Sequence, residues 1–277
     1  MALYQKYLQE ELDGNSSLHI EKVFLTKLGI SCHCGANEVP LSTTDITYHI
    51  NSLTGSITQQ TPKNNEYPDK RKYVYYDNTK SPHNLGIFSI LLSKKIRSDE
   101  YPIADENGMI ELIDAREFKG YSSGSLKAGF KTWNSPNKRW YLNPDCLAGI
   151  LGAMLDCNID YLGFNGGSQR DGSPSPSKSH RNGVCLDVQY LSKNKNGEPM
   201  LLQSPQFDYD GQELFNKALY KYGWGKGSKG SMCSEVFNYN GKMIMLFKAV
   251  EVKKPPHNDH LHIGGFDFNG IIKTKEK

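Results

Sequence analysis

The chain has no long apolar run, little cysteine and little net charge, and each shortage removes a class of protein. No stretch of about 18 consecutive apolar residues occurs, so a membrane-spanning helix is excluded on length. Six cysteines, Cys32, Cys34, Cys146, Cys157, Cys185 and Cys233, are too few in 277 residues for a disulfide framework. Buried free thiols are expected instead. The formal charge of +3 is dispersed, with no basic block to lie along a phosphate backbone, so no nucleic-acid partner is expected. The opening residues, MALYQKYLQEELDG, carry acids and amides where a signal peptide has a basic start and an apolar core. The expectation is a protein made in the cytoplasm without a cleavable export signal.

Hydrophobic residues make up 37% and charged residues 23%, a balance that buries a core without staples. Residues 2–13 place Leu3, Tyr4, Tyr7, Leu8 and Leu12 on one helical stripe. Strand-formers then dominate in KVFLTKLGISCHCG, DITYHINSLTGSITQQ, YVYYD and GIFSILLSKKI. The polar, proline-containing segment Gln59 to Lys72 reads as a loop. Residues 1–103 therefore form a β-rich N-terminal region of unstated role, with a boundary near RSDEYPIADENG.

Residues 104–277 are more legible. In NPDCLAGILGAMLDCN, Asn143 stands at the N-cap and Pro144 at the first helical position, and Leu147, Ile150, Leu151, Met154 and Leu155 follow at helical spacing. A second helix is predicted over DGQELFNKALYKYG, capped by Asp210 with Glu213 three residues on, striped by Leu214, Phe215, Ala218 and Leu219, and stopped by Gly223. IDYLGFN, GVCLDVQYL and KMIMLFKAV are strand candidates. Helices beside antiparallel strands point to an α+β fold.

The chemistry gathers in two segments. In GVCLDVQYL, alternation puts Val184, Leu186, Val188 and Tyr190 on one face and Cys185, Asp187 and Gln189 on the other. His180 precedes this strand across the Asn182-Gly183 turn. Near the C-terminus, KKPPHNDHLHIGGF places His260 and His262 two apart, hence on one strand face. These two segments hold four of the eight histidines. Two imidazoles and a carboxylate, with a fourth position left for water, have the composition of a catalytic zinc site. Cys32-His33-Cys34 has no further cysteine pair at ligand spacing and reads as ordinary strand residues, and Cys185 as packing.

The pattern of a serine-flanked histidine, six intervening residues, an aspartate and a distant H-x-H resembles the LAS-type zinc peptidases, the group of lysostaphin, D-alanyl-D-alanine peptidases and the hedgehog signalling domain. The match rests on His180, Gly183 and Asp187, because Lys178 stands two before His180 and the serines are at Ser177 and Ser179. HNDHLH is most similar to the penicillin-insensitive murein endopeptidases. The resemblance covers about residues 105 to 270 and implies an antiparallel sheet with flanking helices. It also implies zinc held by His180, Asp187 and His262, a catalytic role for His260, and His257 beside the water or substrate. His257 and Asp259 are rival bases to His260, and alternation turns Asp259 away from His260. Gln169 and Arg170, in the loop NGGSQRDGSPSPSKS, are candidates to hold a substrate carboxylate or carbonyl. Trp133, Trp140 and Trp224 read first as core.

By the same resemblance, the expected function is zinc-dependent cleavage of peptidoglycan cross-links next to D-alanine. Without an export signal, the chain fits an antibacterial effector delivered to a target periplasm, with an immunity protein and a secretion-machine component as partners. A phage-type endolysin and a non-catalytic zinc-stabilised binding module are the alternatives.

Overall fold

The computed structural model describes residues 44–96, 104–135, 137–227, 231–252 and 254–276. The helix expected over residues 2–13, the strand expected at KVFLTKLGISCHCG and the Cys32-His33-Cys34 run lie outside the described residues.

Along the chain come β1 (Ile46–Asn51), β2 (Ile57–Thr61), β3 (Lys70–Tyr76), β4 (Pro82–Lys94), β5 (Met109–Asp114), β6 (Tyr121–Ser123), β7 (Leu126–Ala128), β8 (Phe130–Trp133) and β9 (Tyr141–Leu142). Helix α1 (Pro144–Asp156), β10 (Leu162–Gly166), β11 (Leu186–Val188) and helix α2 (Tyr209–Lys221) follow. The last strands are β12 (Met232–Ser234), β13 (Phe237–Tyr239), β14 (Lys242–Ile244), β15 (Ala249–Glu251), β16 (Leu261–Ile263) and β17 (Ile271–Lys275). Among the described residues no helix is long and apolar enough to cross a membrane.

The fold is α+β, with two principal sheets. One has the order β17-β2-β1-β3-β4-β5-β9 and the other β15-β12-β16-β11-β10-β8. Both are mixed, which corrects the expectation of a purely antiparallel sheet. The central run β10-β11-β16-β12 is antiparallel, whereas β8 joins β10 and β15 joins β12 in parallel. Strand pairing also crosses the expected boundary near residues 97–108. There β4 pairs with β5, and β17 pairs with β2, so the division at 103/104 does not separate two units; Ser42–Lys277 is one.

Helix α1 forms where its cap and period predict. The Asn143 side chain accepts from Asp145 N, Pro144 takes the first turn, and every residue from Pro144 to Leu155 is buried. A helix apolar on all sides belongs inside, and α1 packs against β1, β3, β5 and α2. Gly152 permits this closeness: a Cβ there would come within 2.9 Å of Ile50 and Tyr222.

Three local expectations change. Helix α2 is capped by Asp208, whose carboxylate accepts from Gly211 N, and not by Asp210. Its buried stripe is Gln212, Phe215, Asn216, Ala218 and Leu219, leaving Leu214 exposed, and Glu213 accepts from Phe247 N instead of completing a capping box. KMIMLFKAV is not one strand. A turn separates β14 from β15, with Lys248 at φ 57°, and the halves pair with β13 and β12 respectively. The loop expected from Gln59 to Lys72 narrows to residues 62–69, since Gln59 pairs with Tyr48 and Lys273, and buried Arg71 meets Glu111.

Candidate metal centre

The centre begins at a turn. Asn182 adopts φ 58°, and Gly183, at φ 69°, lies so close to the start of α1 that a Cβ would fall 2.6 Å from Asn143 N. Asn182 also bolts the turn to the end of β4, accepting from Ile96 N at 2.9 Å and donating to Ile96 O at 3.0 Å. The turn thus delivers His180, 1% exposed, beside β11.

Register supplies the rest. Asp187 on β11 lies directly opposite His262 on β16, and directly opposite residues share a sheet face. His180 Nε2 lies 3.1 Å and His262 Nδ1 2.8 Å from the same oxygen, Asp187 Oδ1. The three ligand atoms all fall within 4.8 Å of one another, and all three residues are buried. With zinc–ligand bonds of about 2.1 Å, a tetrahedral site needs its donor atoms roughly 3.4 Å apart. The two imidazoles and one carboxylate could therefore hold a metal ion, and their chemistry is that of a zinc donor set.

Electrostatics agree with that fit. Burial works to raise the Asp187 pKa, but the His180 and His262 rings more than offset it and hold the carboxyl well below its usual range. Burial lowers the His180 pKa against the pull of Asp187, favouring the neutral ring that metal ligation requires. His180 Nδ1 is buried without a hydrogen-bond partner among the described residues.

Two further histidines face the cluster. His260 precedes β16, with Nε2 3.9 Å from Asp187 Oδ1. The expectation that Asp259 points away from it fails, because the strand begins only at Leu261. Freed from strand alternation, Asp259 Oδ1 accepts from His260 Nδ1 at 2.6 Å. The buried ring of His257 lies 4.9 Å from that of His260 and 5.9 Å from that of His262. Burial, then the charges of His260 and His262, lower its pKa. Its backbone is clamped: the Tyr190 hydroxyl donates to His257 O at 2.6 Å, and His257 N donates to Glu235 Oε1 at 3.3 Å.

The structure therefore brings His180, Asp187, His257, His260 and His262 together. Gln169 and Arg170 are placed differently: Gln169 Nε2 donates to Ser175 O within its own loop, and exposed Arg170 lines an open groove with Leu91 to Ile96, Met109 and Asp171. Trp224 is fully buried against Phe266. Trp133 and Trp140 pack edge to face with each other and against Phe164. The alternation drawn for GVCLDVQYL also needs correction, because only Leu186–Val188 is strand and the whole run is buried on both faces. Sequence reasoning missed Arg139, whose Nη2 lies 3.6 Å from Asp187 Oδ2, and Cys233, directly opposite His262 on β12. Neither carries a periodic signal; only strand register and a loop brought from elsewhere reveal them. No protein-family model, curated protein or solved structure matches the chain.

Proposed function

We propose that the protein is a zinc-dependent peptidase that cleaves peptidoglycan cross-links next to D-alanine. The observation that carries this reading is the convergence of His180, Asp187 and His262, from two distant segments, to within 4.8 Å. When bound, zinc supplies Lewis acidity toward the scissile carbonyl and lowers the pKa of a water toward about 7.

The residues of the chain do the remainder. His260 takes a proton and returns it to the leaving amine. With Nδ1 committed to Asp259, Nε2 is the nitrogen free to exchange that proton, and it faces the ligand cluster. Asp259 fixes the tautomer and orients the ring. His257, whose pKa is lowered first by burial and then by the neighbouring His260 and His262 rings, lines the same side and donates to or accepts from substrate. Tyr190 and Glu235 keep its segment in place.

The substrate follows from the resemblance to LAS-type peptidases. We assign the chain to antibacterial effectors acting in a target periplasm, neutralised by an immunity protein in the producer and loaded through a secretion-machine component. The test is zinc stoichiometry of the purified protein together with mass spectrometry of sacculi from several bacteria after digestion. Zinc near one per chain with release of cross-link fragments supports the reading. Stoichiometric zinc with binding but no release assigns a binding module, and no zinc at all removes the enzyme.

A further inference from the structure

The two oxygens of Asp187 are not equivalent. Oδ1 receives both imidazoles, at 2.8 and 3.1 Å, while Oδ2 faces the guanidinium of Arg139 at 3.6 Å. Arg139 is 8% exposed, and its Nε and Nη1 are buried without a hydrogen-bond partner among the described residues. A buried cation left so poorly satisfied depends heavily on the one carboxylate oxygen beside it.

Its position is also fixed. Arg139 N donates to Ser135 Oγ at 3.0 Å, and Arg139 O accepts from Gly167 N at 2.7 Å. The guanidinium lies on Gly166, the register partner of Asp187, where a Cβ would sit 3.0 to 3.1 Å from Nη2, Cζ and Nε. A planar guanidinium can lie on bare backbone in this way, and glycine at φ 147° leaves room for it.

Resting on the zinc-site reading, we propose that Arg139 is a positioning residue that reserves Oδ2 of Asp187 for itself and so restricts this aspartate to ligation through Oδ1 alone. Turning Oδ2 inward as a second ligand atom would strip the buried guanidinium of its counter-charge. Arg139 thereby keeps a coordination position open for water or substrate. With Nε and Nη1 buried and Nη2 facing Oδ2, the residue acts through Asp187.

The test uses the full chain with cobalt(II) in place of zinc, whose visible absorption is strong in four-coordinate sites and weak at higher coordination. Arg139→Gln is expected to weaken the bands and to raise the cobalt dissociation constant about 10- to 100-fold, the usual effect of losing a partner of a metal ligand. Circular dichroism and a metal-free urea midpoint establish that the variant is folded. A folded Arg139→Gln protein with parental bands and affinity overturns the proposal. Should that variant not fold, Arg139→Lys, which keeps the charge and loses the planar fork, decides by the same two readouts. Failure of the parent protein to bind cobalt overturns the zinc-centre reading, and this inference falls with it.

Discussion

Two carboxylates, partly buried Asp156 and buried Asp187, sit in this molecule under opposite conditions. Asp156, at the end of α1, receives Ser52 Oγ at 3.0 Å, Tyr75 OH at 2.6 Å, Tyr222 OH at 2.7 Å and the Lys221 ammonium. Its donors come from the β1–β2 turn, β3, and the end of α2 and its cap, so the protein itself supplies the whole complement. Asp187 is surrounded by His180, His262 and Arg139, and around it His180 Nδ1, His257 Nδ1 and two guanidinium nitrogens have no partner among the described residues. Buried polar groups are normally satisfied, and the exceptions concentrate where something else is meant to bind. The first carboxylate ties elements together. The second belongs to a buried His180-Asp187-His262 group that could hold a metal ion.

That contrast can be broken most directly by removing each acid. Asp187→Ala and His180→Ala are expected to abolish both zinc retention after dialysis and release of cross-link fragments from sacculi, whereas Asp156→Ala keeps stoichiometric zinc. An Asp187→Ala protein that retains zinc would erase the distinction. Stability should divide the other way. Asp156→Ala is expected to lower the urea-unfolding free energy by about 3 kcal/mol, since two tyrosine hydroxyls and an ammonium lose their acceptor, while Ser52 keeps Asn78 Oδ1. Zinc at 100 times its dissociation constant should stabilise the parent and Asp156→Ala by about 2.7 kcal/mol and leave Asp187→Ala unmoved. A thermal melt with and without zinc checks this.

Within the reactive region, His260→Ala is expected to retain zinc and lose about 10²- to 10⁴-fold in turnover. Asp259→Asn, which changes an exposed orienting partner, should lose about tenfold. Parental turnover in His260→Ala would remove His260 from the mechanism.

The smallest effect belongs to a third carboxylate, Asp77, closer to the surface. Burial pushes its pKa up, but hydrogen bonds from Thr79 and His83, with the Ser81 and Thr79 amides, bring it down to about 2. A folded pKa below the unfolded value means its contribution is complete above about pH 4 and disappears as pH falls toward 2. Asp77→Asn should therefore flatten the pH dependence of the urea-unfolding free energy across that acid limb by about a few tenths of a kcal/mol and leave its slope near pH 7 unchanged. An unaltered acid limb would show that this surface set adds nothing.

Local order was readable to different depths. Helix α1 was legible because an N-cap, a first-turn proline and an apolar period agree, and each acts within a few residues. Helix α2 was legible in extent and misread at its cap, since Asp208 and Asp210 are chemically equal and Glu213 is drawn off by Phe247 N. KMIMLFKAV misled because a continuous apolar run does not reveal a turn held by pairing with two different strands. Asp259 was misjudged for a related reason: alternation holds only where a strand exists, and β16 starts after His260.

By itself, the sequence determined the α+β character, the principal helix and the identity of the candidate ligands, because cap chemistry, periodicity and residue type are local properties. Tertiary structure alone decided that β4 and β5 continue one sheet across residues 97–108, that Asp187 and His262 stand in register, and that Arg139 arrives behind the carboxylate. Those outcomes depend on contacts between residues tens of positions apart, whose energies are settled only when the chain has collapsed and every buried charge must find its counterpart.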